Sequence, residues 1–152
     1  MYFHQVPGLA GVRTLQFSHK QRLLVHYLGL HGHLYLLKAT IAVLGINRPQ
    51  TSLEINAPDD DNSTCLLLAM KQKKIELVKY LLRLPQTRTN VYSLKYGLPL
   101  HVALAQSEFK LASKLIKTYY SEPRQTDSTF EVDVNVANEY GNSPLHLVFL
   151  NF

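Results

Sequence analysis

A short phrase recurs along this 152-residue chain and loses sharpness toward the N-terminus. Near the C-terminal end it reads Gly141-Asn142-Ser143-Pro144-Leu145-His146-Leu147. Earlier it reads Leu98-Pro99-Leu100-His101-Val102-Ala103, and earlier still Asn62-Ser63-Thr64-Cys65-Leu66-Leu67-Leu68-Ala69. Internal repetition at this interval leaves few folding options. One copy is too small to bury its own apolar face, so copies must stack and share a core.

The residues C-terminal to the phrase also repeat. From Ala69 the chain runs Ala69-Met70-Lys71-Gln72-Lys73-Lys74-Ile75-Glu76-Leu77-Val78-Lys79-Tyr80-Leu81-Leu82. From Ala103 it runs Ala103-Leu104-Ala105-Gln106-Ser107-Glu108-Phe109-Lys110-Leu111-Ala112-Ser113-Lys114-Leu115-Ile116 in the same register. Each copy therefore predicts two helices behind a turn. Leu66, Leu67, Ala69 and Met70 fall on the first, and Ile75, Leu77, Val78, Leu81 and Leu82 share one face of the second. Lys71, Lys73, Lys74 and Lys79 fall outside that face. The Ser or Thr at the phrase start suits a helix N-cap, and proline one residue later suits the first turn.

A fainter copy lies upstream. Gly32-His33-Leu34-Tyr35-Leu36-Leu37-Lys38 matches the helix-turn-helix portion, which puts His26 on the phrase histidine. The intervals from His26 to Leu67, to His101 and to His146 are 41, 34 and 45 positions. The first and last connections thus carry extra residues, the last around Ser121–Thr129.

The pattern resembles the ankyrin repeat family, whose period is about 33 residues and whose helix start reads Thr-Pro-Leu-His-x-Ala. The resemblance covers about residues 18–152, with repeats near 18–50, 56–88, 90–120 and 133–152. Residues 1–17 are a lead-in and 121–132 an inserted loop. It implies an all-α solenoid of stacked helix-turn-helix units joined by short hairpin loops. There are two departures. Asn62 replaces the turn glycine in the second copy, and Asn tolerates a left-handed backbone. In the third copy Tyr96 takes that place with Gly97 after it, which predicts a shortened or shifted hairpin. The fourth copy stops after its first helix, so Leu147, Val148, Phe149 and Leu150 would lack half their cover. Terminal repeats carry polar caps, so a fragment of a longer protein is the favoured explanation. A shortened cap and dimerisation through that end are the alternatives.

Composition sets further bounds. A hydrophobic content of 46% is ample for a folded core. The single Cys65 permits no internal disulfide, which suits a reducing compartment. Met1–Gly11 lacks the features of a secretory signal, and the apolar stretch from Leu34 to Ile46 is too short to span a bilayer. An intracellular, cytoplasmic setting is the expectation, with delivery into a host cell or a nuclear location as alternatives. Charge is polarised. Residues 1–50 hold five basic and no acidic residues, whereas residues 121–152 hold one basic and five acidic. This bias is either an incidental property of a solvated surface or a device that steers an oppositely polarised partner.

Chemical motifs compete with structural explanations. In the ankyrin family the phrase histidine bonds within the repeat, which implies the same for His26, His101 and His146. His31 and His33, even with His26, lack the Cys or carboxylate companions of a zinc site. Asp59-Asp60-Asp61-Asn62-Ser63 opens like a calcium loop, but Thr64 stands where glycine is needed and Met70 where the closing glutamate is needed. It reads better as a hairpin tip whose acids favour the helix N-terminus after it. Cys65 occupies the proline position of a packed helix and suits a buried residue better than a nucleophile. No nucleophile elbow, phosphate loop or Cys-x-x-Cys pair occurs. Among the nine tyrosines, Tyr27, Tyr35 and Tyr80 are expected to pack, and Tyr96 and Tyr140 to face outward.

No enzyme, metal or cofactor is therefore expected. The resemblance implies a protein-binding module that uses hairpin tips and the inner face of its first helices. By position that surface comprises His19, Lys20, Arg22, Leu30 and His31 in the first copy. The second supplies Asp60, Asp61, Ser63, Lys71 and Gln72. The third supplies Leu94, Lys95, Tyr96 and Gln106, and the fourth Glu139, Tyr140 and Asn142. The partner is expected to be a protein, and the chain a monomer. Modules of this kind occur in eukaryotic regulators and in effectors of intracellular bacteria. Two alternatives remain open: a basic N-terminal half that contacts nucleic acid or anionic membrane, and a module that targets an attached enzyme domain.

Overall fold

Turn chemistry divides the chain into helical hairpins. A computed structural model describes residues 24–44, 54–121 and 135–150. Among them are seven α-helices and no strand: α1 (Leu24–His31), α2 (Leu34–Leu44), α3 (Cys65–Lys71), α4 (Ile75–Leu81), α5 (Pro99–Ala105), α6 (Phe109–Ser121) and α7 (Pro144–Leu150). The architecture is all-α.

Each first helix starts at the recurring phrase. Thr64 is extended (φ −91°, ψ 167°), and its hydroxyl accepts the Leu67 N–H at 3.4 Å, a weak N-cap bond. Leu98 has no acceptor in its side chain. There His101 Nδ1 reaches back and accepts the Leu98 N–H at 3.0 Å. Ser143 and His146 make both halves of the arrangement. Ser143 N–H donates to His146 Nδ1 at 3.1 Å, and His146 N–H donates to Ser143 Oγ at 3.4 Å.

Each first helix also ends in one way. His33 N–H donates to Leu28 O (3.1 Å), Lys74 N–H to Ala69 O (2.9 Å), and Glu108 N–H to Ala103 O (2.9 Å). These closures require a left-handed residue one position earlier. Those residues are Gly32 (φ 76°), Lys73 (φ 53°) and Ser107 (φ 57°), separated by the same intervals of 41 and 34 as the phrase. The turn reverses the chain into the second helix.

Helices α1, α3, α5 and α7 form one row, each packed on the next, while α2 packs on α4 in a second row. Helices α1 with α2, α3 with α4, and α5 with α6 pair as hairpins. The middle of the row is the core. Every residue from Cys65 to Met70 and from Pro99 to Leu104 is buried. Full burial of each leucine there contributes about 1.5–3 kcal/mol. Gly29 lets α1 approach closely, since a Cβ there would lie 2.6 Å from Cys65 O.

Polar bonds couple neighbouring units. Asn56 Nδ2 donates to Gln86 O (2.6 Å), and Asn56 Oδ1 accepts the Arg88 N–H (2.8 Å). His26 Nε2 bonds Ala57 O at 2.7 Å, and His101 Nε2 bonds Val136 O at 2.9 Å. Both carbonyls lie two residues before the next unit's hairpin. The phrase histidine therefore ties its own unit to the next one.

Two packing expectations need correction. Tyr35 does not pack; it is 86% exposed on the outer face of α2. Ile75 is also exposed, because it opens α4 ahead of the buried Leu77, Val78 and Leu81. Asp59 lies in the expected hairpin and is buried there. Tyr27 and Tyr80 are half-buried, as their helical positions require. On α7 the expected lack of cover holds for Phe149 and Leu150, which are exposed together with Leu145, but not for Leu147, which is buried, or Val148, which is half-buried. No helix among the described residues is long and apolar enough to cross a membrane.

Candidate binding surface

Three hairpins stand in line before α3, α5 and α7, and a short polar side chain organises each. Asp59 Oδ1 accepts the N–H groups of Asp61 (3.1 Å) and Ser63 (2.7 Å). Asn138 Oδ1 accepts those of Tyr140 and Asn142, both at 3.0 Å. Ser93 Oγ accepts those of Lys95 (3.3 Å) and Tyr96 (3.4 Å). Asp59, Ser93 and Asn138 are separated by the phrase intervals of 34 and 45. Sequence reasoning missed them, although their equal register and small polar character were visible.

The hairpins bond to one another. Leu94 N–H donates to Asp61 O at 2.8 Å, Ser93 Oγ donates to Asp61 O at 3.0 Å, and the hydroxyls of Ser63 and Ser93 meet at 2.8 Å. Asn62 Nδ2 donates to Tyr92 O, and Tyr92 OH donates to Ala137 O at 3.0 Å. The tips are thus held as one row.

Of the two outcomes that the displaced glycine predicts, a shortened or a shifted hairpin, the third hairpin shows the shift. Positive φ falls on Asn62 (58°) and Gly141 (76°) in the second and fourth units but on Gly97 (70°) in the third. The Ser93–Gly97 pair closes the turn through two 2.9 Å backbone bonds. Gly97 is needed there: besides its φ, a Cβ would meet His101 Nδ1 at 3.0 Å. Tyr96 takes a side chain at the place of the glycine, but it does not face fully outward as expected: it is half-buried and packs against the core.

That ring carries two cations. Lys71 Nζ, from the end of α3, lies 5.1 Å from its centroid, and Lys95 Nζ lies 5.4 Å from it. Both lysines are exposed, and among the described residues neither has a carboxylate within salt-bridge range. Gln106, the C-cap residue of α5, donates through Nε2 to Lys71 O at 3.2 Å and pins the end of α3 beside the patch. Two repeats therefore build one basic, aromatic feature.

The expected surface residues sort as follows. Asp60, Gln72, Leu94, Glu139 and Tyr140 are exposed with Lys71 and Lys95. Leu94 is 66% and Tyr140 77% exposed, both at hairpin tips. Asp61, Tyr96, Gln106 and Asn142 are half-buried. Ser63 is a correction: it is fully buried, because its N–H serves Asp59 and its hydroxyl serves Ser93. Leu30 is half-buried and His31 exposed in the last turn of α1. His19, Lys20 and Arg22 lie outside the described residues.

The remaining reactive groups have structural surroundings. Burial pushes the Cys65 thiol up to about 12, which keeps it from acting as a thiolate near neutral pH. Burial likewise holds His101 below its ordinary value, against the opposing pull of its backbone bonds. His31 and His33 are not fully buried, and their ring centroids lie 5.8 Å apart. Among the described residues no group of three or more His, Cys, Asp and Glu side chains could hold a metal ion. No protein-family model and no curated protein matches the chain.

Proposed function

We propose that this chain is an ankyrin-type solenoid that binds a protein partner across its hairpin row, without catalysis. The observation that carries this reading is the row itself. Three tips are bonded into one strip, and they display exposed Leu94, Tyr140 and Lys95 beside the half-buried, lysine-flanked Tyr96. Aromatic side chains on a fixed scaffold are common anchors of protein interfaces. The ankyrin reading is further supported by the recurring caps, left-handed turns and phrase histidines.

The test is affinity capture with the whole chain, with and without nuclease, against a variant carrying Lys95→Ala, Tyr96→Ala and Tyr140→Ala. The intact chain should recover a discrete protein regardless of nuclease, and the variant should recover at least tenfold less. Recovery abolished by nuclease would transfer the function to a nucleic acid. Equal recovery by the variant would remove the hairpin row from the interface.

A further inference from the structure

The row of tips has a charge order. Asp60, Leu94 and Glu139 occupy one register position, separated by 34 and 45 residues, and Asp60 and Glu139 are exposed acids. Between them, the third unit presents Lys95 beside Tyr96, with Lys71 reaching the same ring. The strip therefore reads acidic, basic, acidic.

The central element is held in place. Both ammoniums lie near one ring, and among the described residues neither has a carboxylate within salt-bridge range. Ser93 Oγ fixes the backbone of Lys95 and Tyr96, and Gln106 fixes the carbonyl of Lys71. An incoming carboxylate can therefore meet two ammoniums that lie near one ring on a fixed backbone. We infer that the partner is a protein segment that seats an Asp or Glu carboxylate between Lys71 and Lys95 against Tyr96, with basic residues about three positions to either side. The spacing comes from geometry. Packed helices lie about 8–10 Å apart, and an extended chain advances about 3.3 Å per residue. One unit therefore corresponds to roughly three residues. This inference rests on the protein-binding reading above and adds the chemistry of the bound segment.

Two short probes test it on the full chain: a blocked peptide of sequence Lys-Gly-Gly-Glu-Gly-Gly-Lys, and the same peptide with Lys at its centre. Both keep the basic ends, so only the central charge changes. Binding is followed by NMR through the Tyr96 ring and the backbone amides of residues 71 and 95, which detects weak complexes. The Glu-centred peptide should bind about fivefold or more tightly than the Lys-centred one, and the preference should fade with added salt. In the variant carrying Lys71→Glu and Lys95→Glu the preference should invert, which general loosening of the fold would not produce. Equal response of the native chain to both peptides, or no response to either, overturns the inference without any variant. If the triple-alanine variant still loses its captured protein in that case, protein binding stands and only the acidic chemistry falls. If capture also ignores that variant, both readings fall.

Discussion

At the scale of single residues, two positions carry cost that the fold imposes on them. Lys73 sits in the left-handed region where the first unit has Gly32. A non-glycine residue there costs about 1–2 kcal/mol, and glycine returns part of that gain through greater freedom of the unfolded chain. Lys73→Gly should raise stability by about 0.5–1 kcal/mol in urea titration; destabilisation would show that the Lys73 side chain contributes more than the strain. His101 is the second. Its Nδ1 accepts an N–H while its Nε2 reaches a carbonyl, so the bonded ring is neutral. Burial depresses its folded pKa, so the unfolded chain takes up a proton first as pH drops below 6.5. Its stabilising contribution is full above that pH and lost as pH falls through the lower folded value. The fall in urea midpoint between about pH 7 and pH 5 should therefore be smaller in His101→Gln than in the native chain. Equal slopes would remove His101 from the acid response.

At the scale of elements, the hairpin staple is the part most open to test. Asp59→Ala deprives two N–H groups of their acceptor in a buried turn and should cost about 2 kcal/mol. Asp59→Asn should retain most of that, since Asn138 does the same work in the fourth unit. A thermal melt of both variants checks the difference. The helices themselves were legible in the sequence. The recurring phrase located the starts of α3, α5 and α7, and Gly32-His33 located the turn between α1 and α2. The departure of the third hairpin was legible too, because a glycine one place late predicted a shortened or shifted turn, and the turn is shifted. What periodicity hid were bonds made across units. Ser63 read as a tip residue because its neighbours are, but its hydroxyl faces Ser93 in the next hairpin. Tyr35 read as packed because helical tyrosines usually are, but its side of α2 has no cover among the described residues. The Lys71–Tyr96 contact joins residues in different units and leaves no local trace.

At the scale of the whole molecule, stacking makes stability a matter of neighbours. Helices α3 and α5 are covered on both sides of the row, whereas α2 and α7 expose Tyr35, Val43, Phe149 and Leu150. Elements with fewer buried contacts open locally at lower cost. Amide exchange should accordingly be slowest in α3 and α5 and faster in α2 and α7, with α4 between. Uniform protection would mean that the chain unfolds only as one block. The one-residue shift of the third turn has a wider consequence. Moving the glycine back to position 96 would make the units more alike and would strip the side chain that gathers Lys71 with Lys95. Irregularity in such an array is thus where individuality is stored: an alignment that rewards uniformity discounts the very position that distinguishes this array from its own other copies.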